Sequence, residues 1–301
     1  MTAEKPLTQP LASDVQQVTA WRKMREELAQ AGTEKREVML SEWAKSVRRS
    51  VISMVAHAQI GHIGGDFSAT DILTTLFLEV LNIRPDEPGW PDRDRMIVSK
   101  GHSSGSIYTV LAQCGYYSTD RLGEYMDPLS PLNGHPNRNK VPGIETNTGA
   151  LGHGLPVGVG VALGGKLTGR TYRTFVLTGD GELEEGSNWE AMMSAARYGL
   201  GNLTLIADRN RFQQGAGTEE TTALDPLEEK FAAFGWEVRS VNGHSYPELR
   251  AAFAPSVAGQ PVAVVAHTIK GKGVSFMEDR VEWHHKIPTA EQNAAALEEL
   301  A

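Results

Sequence analysis

Two polar clusters about thirty residues apart, Gly179-Asp180-Gly181 and Asp208-Arg209-Asn210, hold the residue types that bind a hard cation beside a phosphate. Mg²⁺ takes oxygen ligands and, when a diphosphate supplies some of them, needs only a carboxylate or two, a carbonyl and water. The Asp180 carboxylate, the Asn210 amide oxygen and the Phe212 carbonyl make such a set, for Mg²⁺ or for Ca²⁺ or Mn²⁺. Glycines at 179 and 181 let backbone N–H groups approach a phosphate with no Cβ in the way. Taken alone, Gly-Asp-Gly reads first as a turn, because Asp and Gly favour turns for local reasons. Histidines form a second group of candidates: His62, His102, His135 and His284 all lie beside glycines or in loops. Each by itself reads as a solvated loop residue; together they suit proton transfer near neutral pH.

The elements that would position these residues follow from the apolar pattern. Residues 175–178 predict a buried strand, 187–198 a helix and 203–207 a second strand. The acidic turn then lies at the carboxyl end of the first strand and Asn210 at that of the second. This is a right-handed βαβ unit with its polar groups where open parallel sheets bind ligands. Upstream, Ser13/Asp14 predicts a helix ending near Ala31 with Gly32 as its stop. A second helix follows over 34–58, with Val38, Trp43, Val47, Val51, Ile52 and Val55 as its apolar stripe. Gly61, Gly64 and Gly65 predict a break, with Ser68 and Asp71 capping the next helix. MIVS reads as a strand, Lys100 to Ser103 as a strand-to-helix turn, and 127–148 as a long loop carrying His135. Beyond the central unit, helices starting near 225 and 245 alternate with strands over WEVRSV and PVAVVAHTI. The alternation predicts an α/β fold, a doubly wound, mainly parallel sheet flanked by helices. We divide the chain into a helical extension, 1–39, and one domain, 40–301.

At 301 residues with 29 basic and 37 acidic side chains, the chain carries a formal charge of −8 and no basic run. That balance speaks against nucleic acid or an anionic membrane as the main partner. The single Cys114 lies in an apolar helical pattern and reads as a small core residue. The start, MTAEKPLTQPLASD, has neither a signal-peptide nor a twin-arginine pattern, and no apolar run reaches membrane-spanning length, so a cytoplasmic location is expected.

From about Leu40 to Pro288 the chain resembles the N-terminal, diphosphate-binding domain of a transketolase. The segments carrying the resemblance are GHIGGDFSATDIL, DRDRMIVSKGHSSG, GHPN, GIETNTGALGHG, GDGELEEGSNWEA, DRN and HTIKGKGVSFMEDRVEWHHK. The resemblance implies thiamine diphosphate, with Asp180, Asn210 and the Phe212 carbonyl on its cation and Gly179, Gly181 and His102 near its diphosphate. It places the Gly149-Ala150-Leu151 backbone along the aminopyrimidine, and His62, His102, His135 and His284 along the substrate channel. His135 would bond a ketose donor's terminal hydroxyl, and His62 and His284 the hydroxyl that loses its proton on cleavage. Glu185 and Glu190 would lie at the interface with the polypeptide that completes the site. The implied activity is transfer of a two-carbon ketol unit from a ketose to an aldose, the cofactor supplying the electron sink.

The chain departs from the family pattern at Ile63, where Pro is usual, at Asp66, where a small residue is common, at His153, where Gln is frequent, and at His285, where Gly is expected. The pyrimidine-binding and C-terminal domains of a whole transketolase are not in these residues. The chain therefore resembles one half of a split enzyme, expected to be inactive alone and to form a heterotetramer with two copies of a C-terminal subunit. The alternatives are a subunit of a 2-oxoacid dehydrogenase or deoxyxylulose phosphate synthase, or a non-catalytic homologue.

Overall fold

The computed structural model describes residues 10–301; the first nine, with the start of the 1–39 extension and the leader reading, lie outside the described residues. Helix α1 (Val15–Gln30) begins at Asp14, whose carboxylate accepts from the N–H groups of Gln16 and Gln17, and α2 (Thr33–Ala58) follows a short break. Val47, Val51, Ile52 and Val55 of α2 are buried as their spacing predicts, while Val38 is exposed and outside the stripe. The position between residues 39 and 40 falls inside α2.

Helix α3 (Ile63–Thr75) starts earlier than the glycines suggest, so Gly64 and Gly65 lie within it and Ser68 is mid-helix rather than a cap. Packing overrides the helix-breaking tendency of the glycines here. A Cβ at Gly64 would come within 2.8 Å of the Trp283 carbonyl oxygen, so only Gly allows α3 so close to the C-terminal segment. Ser68 turns inward and its hydroxyl donates to Asp208 (2.6 Å).

Strand β1 (Arg95–Val98), helices α4 (Ser104–Cys114) and α5 (Gly154–Leu167), β2 (Thr174–Gly179), α6 (Gly186–Arg197) and β3 (Leu203–Arg209) come next. A small hairpin, β4 (Phe212–Gln213) with β5 (Ala216–Gly217), leads to α7 (Thr218–Thr221), α8 (Leu227–Ala233), β6 (Glu237–Asn242), α9 (Tyr246–Ala252), β7 (Val262–His267) and α10 (Ala290–Glu299). The main sheet is parallel throughout, in the order β1-β2-β3-β7-β6.

Strand residues alternate between two cores. Phe175, Leu177, Ile206, Val262 and Val264 join α2, α3, α4 and α9 on one face. Val176, Leu203, Leu205, Ala263 and Val265 join α5, α6 and α8 on the other. Burial on both faces is why these strands read as continuous apolar runs rather than as alternating ones. The chain steps from β1 to β3 in one direction, whereas the return from β6 to β7 runs the other way and sends α9 to the opposite face from α6, as right-handed crossovers require. In register, Gly179 lies beside Asp208, and Arg209 beside His267. The ends of β2, β3 and β7 therefore open on the same edge of the sheet. Among the described residues no helix is long and apolar enough to cross a membrane. Cys114 is buried, and burial pushes its thiol up, out of the reactive range.

Candidate active site

At that edge lies a cavity of about 420 Å³ lined by His62, His102, His135, Gly149, Leu151, Gly179, Asp180, Gly181, Asn210, Phe212, His284 and His285. Most of the candidate residues are thus brought together. Ala150 instead lines a neighbouring depression with His153, and Glu185 and Glu190 are exposed on the approach to and first turns of α6.

Asp180 is buried at the end of β2, where its carboxylate accepts from the N–H groups of Gly181 (2.9 Å) and Arg211 (2.6 Å) and from the Arg209 guanidinium (3.2 Å). Burial, with Asp208 nearby, pushes its carboxyl up to about 6. Arg209 is itself buried and also reaches Glu219 (2.5 Å) and Asp225 (2.9 Å), tying the β4–β5 hairpin and α7 to the acidic turn. Asn210 accepts from the Phe212 N–H (3.1 Å) and donates to Ser68 (3.3 Å), so its amide oxygen faces the hairpin. A Cβ at Gly181 would lie 2.7 Å from the Gln213 Cβ, which leaves this turn no room for any other residue.

Beneath the floor, Asp208 accepts from Lys100, Ser68 and Thr268. Burial alone would raise its carboxyl, but the Lys100 ammonium and these hydrogen bonds outweigh it and hold the group below the usual carboxylate range. Glu182 is buried as well: it accepts from Ser99 and from the N–H groups of Gly152 (2.9 Å) and Gly179 (3.2 Å), joining the 149–153 loop to the acidic turn.

The histidines gather on the opposite wall. The ring centres of His62 and His102 are 5.4 Å apart, of His62 and His284 5.5 Å, and of His62 and His285 4.6 Å. Burial, then His285, His135, Lys270 and Lys100, brings His62 down to about 4, and burial with Lys100 takes His102 well below its ordinary value. His284 is lowered too, first by burial and then by Lys270, whose ammonium lies 3.0 Å from His284 Nδ1. Burial thus favours the neutral form of all three rings. Ring nitrogens of His62, His284 and His285 all lie within 4.8 Å of one another. The Lys270 ammonium beside His284 opposes a metal cation there. His135 stands apart, exposed and resting on Gly149 at 3.5 Å from where its Cβ would be. His284 is the inward member of its pair and His285 the exposed one.

The sequence reading missed Lys100, Lys270, Asp208, Arg209 and Glu182 as site residues. Lys100 is two residues from His102, Asp208 two from Asn210 and Glu182 two from Asp180, which was the available signal. Lys270 carries the test of fit for an anionic cofactor. It is buried in the cavity wall, burial lowers it to about 8 with Lys100 adding to the effect, and among the described residues it makes no ion pair with a carboxylate. A buried ammonium without an anion is costly. Together with the glycine turn and the Asp180–Asn210 donor set, it fits a diphosphate with a divalent cation.

The profile of the family described as transketolase, thiamine diphosphate binding domain, matches residues 39–300. The chain is 46% identical over 265 residues to an apulose-4-phosphate transketolase subunit from Actinobacillus succinogenes, covering 87% of this chain and 95% of that one. It is 36% identical to the 6-deoxy-6-sulfo-D-fructose transketolase subunit SqwG of a Clostridium species, covering 88% and 97%. The fold matches the crystal structure of transketolase from Campylobacter jejuni with a TM-score of 0.82 and 30% identity, over 87% of this chain and 42% of that one.

Proposed function

Because the chain belongs to the transketolase thiamine diphosphate-binding domain family, we propose that it is the diphosphate-binding subunit of a split transketolase. It moves a two-carbon ketol unit from a ketose phosphate to an aldose phosphate together with a separate polypeptide that carries the pyrimidine-binding domain. The observation that carries this reading is the buried Lys270, without a carboxylate ion pair among the described residues, lining one cavity with the Gly179-Asp180-Gly181 turn and Asn210.

In this reading Asp180, Asn210 and the Phe212 carbonyl hold a divalent cation, Mg²⁺ by preference, and Lys270 and His102 hold the diphosphate; the Gly179 and Gly181 N–H groups, expected from the sequence to approach a phosphate, already donate to Glu182 and Asp180 and shape the turn instead. The bound cofactor supplies the electron sink. His62 and His284, kept neutral by burial, accept the proton of the donor hydroxyl next to the bond that breaks. His135, at the cavity mouth, binds the sugar. Gly149, Ala150 and Leu151 border the position of the aminopyrimidine. Of the 1–39 extension, the described residues from 10 on brace the 40–301 domain, with the Trp21 indole N–H donating to the Phe77 carbonyl and Arg25 to the Leu81 carbonyl.

The split is supported by the lengths: the chain covers nearly all of those relatives whose names make them one part of a transketolase, but 42% of the Campylobacter jejuni transketolase chain. We assign the exposed Glu185 and Glu190 to the interface between the two kinds of chain, and expect two-fold pairing to give a heterotetramer with two copies of each. The names of the relatives put apulose-4-phosphate and 6-deoxy-6-sulfo-D-fructose among the substrates of similar proteins, so we extend the candidate donors to phosphorylated and sulfonated ketoses. Co-expression with the protein of the neighbouring reading frame, light scattering, and ketose consumption with thiamine diphosphate and Mg²⁺ test this. A chain that turns over ketose phosphate as a monomer overturns the split; consumption of a pyruvate-like acid instead overturns the transketolase assignment.

A further inference from the structure

Strand β6 runs into Asn242-Gly243-His244, and this loop leans on the one following β7. A Cβ at Gly243 would lie 2.4 Å from Thr268 Cγ2 and 3.1 Å from the His267 carbonyl oxygen, and the Gly243 N–H donates to that oxygen (2.8 Å). The next residue, His244, is held from both sides. Its Nε2 accepts from the Ile269 N–H (2.8 Å), so the ring proton is on Nδ1, which donates to Asp71 Oδ2 (2.7 Å). Asp71 is buried and is held in turn by Arg48 (2.7 Å) from α2 and the Tyr246 hydroxyl (2.8 Å) from α9. Arg48 and these hydrogen bonds outweigh burial and keep Asp71 ionised. The residue after Ile269 is Lys270, whose side chain enters the cavity, whereas neither Asp71 nor His244 lines it.

We propose that His244 is a positioning residue: the Asp71–His244–Ile269 chain of hydrogen bonds sets the aim of the Lys270 ammonium and thereby the affinity of the cavity for its anionic cofactor. This rests on the diphosphate reading of the cavity. A backbone N–H anchored by a neutral imidazole, itself fixed by a buried carboxylate, leaves the Lys270 peptide little freedom. The Gly271 N–H donation to the Gly64 carbonyl (3.1 Å) and the Asp279 N–H donation to the Lys270 carbonyl (3.0 Å) hold the other side of the same turn. Losing the His244 contact frees one side only, so the turn loosens without unfolding.

The test uses the chain in complex with its companion polypeptide, into which thiamine diphosphate with Mg²⁺ is titrated by calorimetry. His244→Leu is expected to weaken binding about tenfold, in line with one lost hydrogen bond. His244→Gln, which keeps an acceptor for Ile269, recovers most of that affinity. Lys270→Met also weakens binding, and adding His244→Leu to it costs less than about twofold more, because coupled residues are not additive. Multiplied losses in the double variant, or wild-type affinity in His244→Leu, would overturn the proposal. Amide hydrogen exchange of this chain alone gives a second readout: Ile269 and its neighbours exchange faster in His244→Leu than in His244→Gln. Unchanged exchange also refutes it. A wild-type complex that binds no cofactor refutes the diphosphate reading instead, and the exchange comparison then still decides whether His244 holds the Lys270 turn.

Discussion

Lys100 and Asp208 form an ion pair buried beneath the cavity floor, joining the turn after β1 to the end of β3. The same carboxylate accepts from Ser68 of α3 and from Thr268 after β7, so one group ties together four elements that carry site residues. Replacing one partner leaves the other as an uncompensated buried charge. Lys100→Met is therefore expected to cost about 3–5 kcal/mol of stability, and the double variant Lys100→Met/Asp208→Leu less than the single. Urea unfolding of the three proteins checks the order. A double variant less stable than Lys100→Met would show that the hydrogen bonds of Asp208, not its charge, dominate.

Removing one of the proposed cation ligands is expected to separate cofactor binding from folding. Asp180→Ala or Asn210→Ala should lower cation-dependent thiamine diphosphate affinity by at least about 100-fold, the upper end of what loss of a mere supporting group costs. The fold survives, because burial already disfavours the ionised Asp180 carboxyl and Arg209 keeps Glu219 and Asp225. Calorimetry with and without Mg²⁺ is the measurement, and unchanged affinity in either variant rules the ligand assignment out.

His135 is exposed and rests on Gly149, apart from the buried histidines. His135→Ala should lower turnover or raise KM for the ketose by about 100-fold, the scale of a lost proton-transfer or orienting group, with cofactor affinity unchanged. Loss of cofactor affinity with normal turnover at saturating cofactor would place this residue on the wrong ligand.

Asp66 is fully buried, with one carboxyl oxygen accepting from the Ser106 N–H (2.7 Å) and the other without a hydrogen-bond partner among the described residues. Burial pushes its pKa up from 3.8 to about 7. The sign follows: between those values the unfolded chain gives up a proton that the folded chain keeps, so this group costs stability as pH rises through that window and no more above it. Asp66→Asn removes the cost. The variant should match wild type near pH 4 and exceed it at pH 8 by an amount on the order of 2 kcal/mol, allowing for relaxation around the charge. Thermal melting across pH gives the comparison, and a difference that does not depend on pH would mean that Asp66 is ionised throughout.

The strand–turn–helix–strand unit and the parallel alternation were legible in the sequence because they rest on local patterns: apolar runs of strand length, glycine at turns, and period-four apolar steps in α2. The Asp180–Asn210 pair was legible for the same reason, since a strand end is a local feature and parallel neighbours bring two of them side by side. Non-local packing decided the rest. The glycines at 64 and 65 announce a break, yet α3 runs through them because the Trp283 backbone packs where a side chain would stand. Ser68 has the form of a cap and became a donor to a carboxylate 140 residues away. Lys100, Lys270 and Asp208 are ordinary charged residues in the sequence; they become site residues once the ends of β1, β3 and β7 converge and exclude water. His244 gave no signal at all, since its partners Asp71 and Ile269 are 173 and 25 residues away along the chain and meet it only where α3 and the β6 and β7 loops come together. Residue type and spacing therefore determined which strand ends could do chemistry. Which charges are buried, paired or left facing the cavity depended on the tertiary structure, because burial and pairing are properties of what folding brings into contact.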